Sequence, residues 1–143
     1  MTPEKRLWER LRDGWGLQIK QAGGRIERVE NAVGAGMPDV NGCLSGVEFW
    51  IELKGAPKWG VRRPTFRAHR GLEPAQINWL LSEYRAGGKS FVLAQIDKEV
   101  FLVPGELAQT FNDFLAEDFI LWGVDMKGSF PFGVDMKGSF PIY

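Results

Sequence analysis

Apolar residues recur at every second position from Val47 to Leu53, with Val47, Phe49, Ile51 and Leu53 separated by Glu48, Trp50 and Glu52 and followed by Lys54. A period of two predicts a β-strand with one face on a core. Glu52 and Lys54, two apart, then project to the same side. Just upstream, Ser45-Gly46 predicts a two-residue hairpin loop in which Leu44 faces Val47. Continuing that register places Asp39 directly opposite Glu52, so two carboxylates and one ammonium share a face of one hairpin.

The rest of the chain predicts helices and strands around this hairpin. Thr2 caps a first helix with Pro3 at its first position, and Leu7, Trp8, Leu11 and Trp15 form its apolar stripe, with Asp13-Gly14 near its end. Glu4 falls in the middle of that stripe while Glu9 points away. Leu17 to Ala22 and Arg25 to Val29 predict a short strand broken by Gly23-Gly24. Asn31 to Gly36 is a glycine-rich loop without the lysine of a phosphate-binding loop. Leu72 to Arg85 predicts a helix opened by Glu73-Pro74, buried along Ile77, Leu80, Leu81 and Tyr84, and ended by Gly87-Gly88. Ser90–Ile96 and Val100–Val103 are predicted strands, and Glu106–Leu115 a last amphipathic helix on Leu107, Phe111 and Phe114. The tail repeats itself: Gly123 to Phe132 and Gly133 to Ile142 agree at nine of ten positions. The expected division is a domain over 1–121 and an extension over 122–143.

Composition narrows the chemistry. The 143 residues, 44% hydrophobic and 25% charged, suit one domain with a real core. No apolar run approaches a membrane span and the N-terminus lacks an apolar signal region, so the expected setting is a reducing cytoplasm, that of a host cell if the chain is viral. The lone Cys43 excludes an intramolecular disulfide, and with the lone His69 it excludes a cysteine-based zinc site. A metal would therefore be held mainly by oxygen ligands, which favours Mg²⁺ or Mn²⁺.

Asp39, Glu52 and Lys54 suit that requirement, because clustered carboxylates are costly without a cation. The competing reading is a solvated Glu–Lys pair of little energetic weight. Glu4, Glu9 and Glu30 are each candidates for a further acid. Net charge is zero, but Lys54, Lys58, Arg62, Arg63, Arg67 and Arg70 fall between Leu53 and Leu72 without an acid, interleaved with Trp59 and Phe66. That long loop, Gly55 to Gly71, has the makings of a surface for a nucleic-acid backbone. Glu106, Asp113, Glu117 and Asp118 make a matching acidic stretch.

Gly-Met-Pro-Asp39 followed by Ile-Glu52-Leu-Lys54 resembles the PD-(D/E)XK nuclease superfamily, and in particular the VRR-NUC nucleases of phages and the Holliday-junction resolvases of archaea and phages. The resemblance covers about Met1 to Gly105. It implies a restriction-endonuclease-like α/β fold, a small mixed sheet in αβββαβ order flanked by helices. It implies catalytic roles for Asp39, Glu52, Lys54 and Gln76. It also implies an Mg²⁺ held by Asp39, Glu52, the Leu53 carbonyl and Glu4, with Mn²⁺ substituting. The implied partner is DNA, bound by Lys58, Arg62, Arg63, Arg67 and Arg70. The implied activity is Mg²⁺-dependent DNA endonuclease action, structure-selective towards branched DNA, by a homodimer. The rival expectation is a nucleic-acid-binding module of the same fold without turnover.

Overall fold

The computed structural model describes residues 2–30, 34–122 and 124–125. The first part of the glycine-rich loop, 31–33, and the tandem repeat apart from Val124 and Asp125 lie outside the described residues.

The first helix, α1 (Pro3–Asp13), forms as its sequence dictates. The Thr2 hydroxyl accepts the Lys5 N–H at 3.1 Å, and Leu7 and Leu11 are buried on one side. At Gly14 the chain turns directly into α2 (Trp15–Gln21). The strand expected over Leu17–Ala22 is thus a helix. Leu11, Trp15 and Ile19 recur every four residues and all are buried, while Leu17, which suggested alternation, is 51% exposed.

The strands are β1 (Arg25–Arg28), β2 (Val40–Leu44) and β3 (Val47–Ala56), then β4 (Lys89–Ile96), β5 (Glu99–Pro104) and the two-residue β6 (Val124–Asp125). They form one sheet in sequence order, antiparallel except between β3 and β4. The parallel pair needs a crossover, supplied by α3 (Thr65–Ala68) and α4 (Pro74–Arg85). The Ser45-Gly46 turn has both residues at positive φ and pairs Leu44 with Val47, the expected register. β3 runs two residues past the predicted alternation, and the predicted long loop contains α3 with Thr65 and Phe66 buried.

Each face of the sheet carries a core. Phe49, Ile51 and Leu53 join Leu7, Leu11, Trp15 and Ile19 on one side. Ala56 joins Phe66, Leu72, Leu80, Phe111, Phe114 and Phe119 on the other. Trp50 meets Trp79 of α4 edge-on at 5.1 Å. The even positions of β3, Glu52 and Lys54 among them, therefore face the α4 side.

The last predicted helix is broken. A 3₁₀ turn (Gly105–Leu107) leads into the short α5 (Ala108–Phe111), and a separate α6 (Ala116–Trp122) follows. The break lies at Asn112. Its side chain accepts the Leu72 N–H at 2.8 Å and donates to the Leu72 carbonyl at 2.9 Å, fastening the entry to α4. A hydrogen bond to a residue 40 positions away leaves no trace in local periodicity. Replacing Asn112 with Ala strands a backbone donor and acceptor, so Asn112→Ala should destabilise the fold by about 2 kcal/mol. Urea unfolding should show this as a lower midpoint with an unchanged slope.

Candidate active site

Asp39 lies one residue before β2, at the position the register sets opposite Glu52. Its backbone carbonyl accepts the Val29 N–H at 2.7 Å, and its carboxylate Oδ2 accepts the Leu53 N–H at 2.9 Å. The residue is thus tied by its main chain to the strand before it and by its side chain to β3. The approach to Asp39 is equally constrained. Pro38 is buried, and Gly36 sits at φ +79° against the first turn of α4, where any side chain would collide with the Ala75 carbonyl.

Glu52 and Lys54 are only 2% and 5% exposed, which removes the reading as a solvated surface pair. The Lys54 ammonium lies 3.7 Å from Glu52 Oε2. The same oxygen accepts a hydrogen bond from Gln76 Nε2 at 2.5 Å. Gln76 is itself oriented, because its Oε1 accepts the Glu73 N–H at 2.9 Å as half of a capping box at the start of α4. With the amide oxygen committed to the helix cap, the amide N–H₂ is directed at Glu52. The Glu73-x-x-Gln76 spacing carried that signal in the sequence, though the seat of Gly36 on α4 did not.

Burial above all, with the neighbouring Asp39 charge adding to it and Lys54 opposing, pushes the Glu52 carboxyl up to about 8 from its ordinary 4.5. Glu52 Oε1 is buried and lacks a hydrogen-bond partner. Such an atom is costly in a polypeptide unless something else satisfies it. The donors at hand, Asp39 and Glu52, are hard oxygen ligands, and an oxygen-binding divalent cation would offset both the orphaned atom and the carboxylate repulsion.

The structure does not gather every predicted residue here. Among the described residues, no group of three or more His, Cys, Asp or Glu side chains is placed to hold a metal. Glu4 is half-buried on α1, which packs against the opposite face of β3, with Pro3 against Gly55. Glu30 is exposed. The basic residues divide. Arg67 makes a two-point pair with Asp113, at 2.8 and 3.2 Å, and Arg70 lies 3.8 Å from Glu73. Lys58, Arg62 and Arg63 are exposed beyond the end of β3. A cleft of about 280 Å³ opens at the end of β3 on the α1 side, lined by Pro3, Arg6, Gly55 and Gln95 and by none of Asp39, Glu52 and Lys54. A larger one, about 340 Å³, lies by Lys89 at the far end of β4, away from the charged group.

Fold and site together describe a mixed-sheet α/β domain with a buried Glu52–Lys54 pair and a half-buried Asp39 at the end of the central hairpin. Among solved structures, a Holliday junction resolvase, Hjc, from the archaeal hyperthermophile Archaeoglobus fulgidus has a similar fold, at a TM-score of 0.59 and 15% identity over 85% of this chain and 95% of that one. No protein-family model and no curated protein matches the chain. No helix among the described residues is long and apolar enough to cross a membrane.

The raised Glu52 value fixes a pH dependence. The folded protein holds this proton more tightly than the unfolded chain, so its contribution to stability is full below about 4.5 and is lost as pH rises through about 8. In EDTA, the melting temperature should therefore fall across that window. Glu52→Gln should flatten the fall.

Proposed function

We propose that this chain is a divalent-metal-dependent DNA endonuclease of the PD-(D/E)XK type that hydrolyses phosphodiester bonds and prefers branched DNA. The observation that carries the reading is the orphaned Glu52 Oε1, buried beside Asp39 and Lys54. The fold it shares with a Holliday junction resolvase supports the same class.

In this reading Asp39, Glu52 and the Leu53 carbonyl oxygen hold one Mg²⁺, with Mn²⁺ as a substitute, and the Glu4 expected as a further acid is left out because α1 packs on the other face of β3. When bound, the ion supplies a lowered water pKa and charge compensation for the phosphate. The remaining work falls to the chain. Gln76 fixes the Glu52 carboxylate through Oε2 and leaves Oε1 available. Asp39 is held against β3 by the Leu53 N–H, so that the two carboxylates cannot swing apart. Lys54, with little access to bulk water, orients the attacking water or stabilises charge developing on the phosphorus oxygens. Lys58, Arg62 and Arg63 hold the DNA backbone, with Arg67 and Arg70 supporting them from their ion pairs. Cutting two strands of a branched substrate calls for two such sites, and a two-fold homodimer would supply them. The intact Asp39, Glu52 and Lys54 set disfavours a binding module without turnover.

The test uses end-labelled four-way junction, flap, linear duplex and single strand, with Mg²⁺ or EDTA. Cleavage should require Mg²⁺, favour the junction with symmetric nicks, and fall about a hundredfold or more in Lys54→Met. DNA binding without cutting under any divalent ion would instead establish the binding module. A monomeric mass in solution, with and without DNA, would remove the dimer.

A further inference from the structure

Val61 is 93% exposed, the most solvent-bare of the large apolar residues described. Single exposed apolar residues are ordinary, so its surroundings decide what it means. The turn that carries it is pinned on both sides. Before it, Trp59 packs edge-on against Phe101 and Phe119, at 6.1 and 5.7 Å, and its indole N–H donates to Glu99 at 3.4 Å. After it, Thr65 and Phe66 are buried. The Gly60 N–H donates to the Thr65 hydroxyl at 3.1 Å, closing the turn at its base. A side chain at Gly60 would collide with the Arg63 carbonyl, so the chain reverses tightly between these two residues. Arg63 adds a bond from its guanidinium to the Arg67 carbonyl at 3.1 Å. Val61 and Arg62 are left at the apex.

An apolar, β-branched and therefore stiff side chain thus stands at the tip of a fixed turn. The exposed cations Lys58, Arg62 and Arg63 surround it in sequence, and Lys54 lies at most about 25 Å away along the chain. The cations complement a phosphate backbone. That reach is under one turn of duplex, about 34 Å. Apolar side chains presented in this way enter DNA by wedging between base steps, and the opening they need is least costly where bases are already unpaired or unstacked.

We propose that Val61 is a wedge that inserts at an unstacked point in the DNA, with Arg62 and Arg63 holding the flanking phosphates. The proposal rests on the DNA reading above and deepens it by naming the substrate feature recognised, a branch or other break in stacking. Arg62 and Arg63 give affinity, while Val61 gives the preference for distorted over regular duplex.

Binding is measured on the full chain in EDTA, where no cleavage occurs, with four-way junctions carrying 2-aminopurine at the branch and a linear duplex of the same sequence. The parent protein should raise 2-aminopurine fluorescence on binding the junction. Val61→Ala should abolish that rise and reduce the ratio of junction to duplex affinity about tenfold. Val61→Leu should keep both. Arg62→Ala should weaken the two DNAs to the same degree. An undiminished rise in Val61→Ala, or an equal loss on both DNAs, would overturn the wedge and leave the nuclease reading standing. No binding to either DNA by the parent protein would overturn both.

Discussion

A glutamate carboxyl held almost out of water, facing an aspartate across one hairpin, is the constraint around which this molecule is arranged. Taken alone, the arrangement is unfavourable. Burial and the Asp39 charge both raise the Glu52 proton affinity, and one of its oxygens lacks a partner. A fold that retains such a group must fix it by other means, and three are visible. The strand register sets Asp39 opposite Glu52. The Leu53 N–H fastens Asp39. The capped amide of Gln76 fastens Glu52. Lys54 contributes a compensating charge at 3.7 Å, longer than a direct hydrogen bond, so it only partly offsets the cost.

The central strand makes this affordable to the fold by dividing its two faces. Its odd positions belong to the core beneath α1 and α2, while its even positions carry the charges towards α4. The strain is therefore applied to a strand already anchored by hydrophobic burial on its other side. The helix α4 then couples two parts of the site. Its first turn bears Gln76 and also seats Gly36, whose loop delivers Asp39. A shift of that helix would move both carboxylates, which is why a glycine without chemistry of its own belongs to the functional unit.

How far this was legible in sequence depended on whether the determining contact was local. The hairpin was legible because a two-residue loop fixes the pairing, and a period of two then fixes the faces. Asp39 opposite Glu52 followed from counting alone. The first helix and α4 were legible from their caps and apolar spacing, but of the face expected to be buried on α4 only Leu80 is fully buried, Ile77 and Leu81 are partly so, and Tyr84 is exposed. The stretch Leu17–Ala22 misled because Leu17 and Ile19 alternate, although Leu11, Trp15 and Ile19 already held the helical spacing. The last helix misled because Phe111 and Phe114 keep that spacing while Asn112 is drawn to Leu72. The Arg67–Asp113 pair joins the basic and acidic stretches, which composition could only describe as a polarised chain. The last two reflect contacts made across the fold, whereas the first was a choice between two local patterns.

That pair also bears on how the molecule would select a substrate. Arg67 and Arg70, though exposed, sit in ion pairs with Asp113 and Glu73, leaving Lys58, Arg62 and Arg63 as the exposed cations of the segment outside an ion pair. A backbone contact of this size releases few counterions, and electrostatic affinity scales with their number. On the reading proposed here, the neutral chain therefore cannot rely on charge to hold one DNA over another. Discrimination must then come from shape, and on the same reading that shape is the pinned turn with a bare valine at its tip. Weak, unselective backbone attraction and a stiff apolar probe are complementary, because the first lets DNA be sampled and the second retains it where the stack is already open.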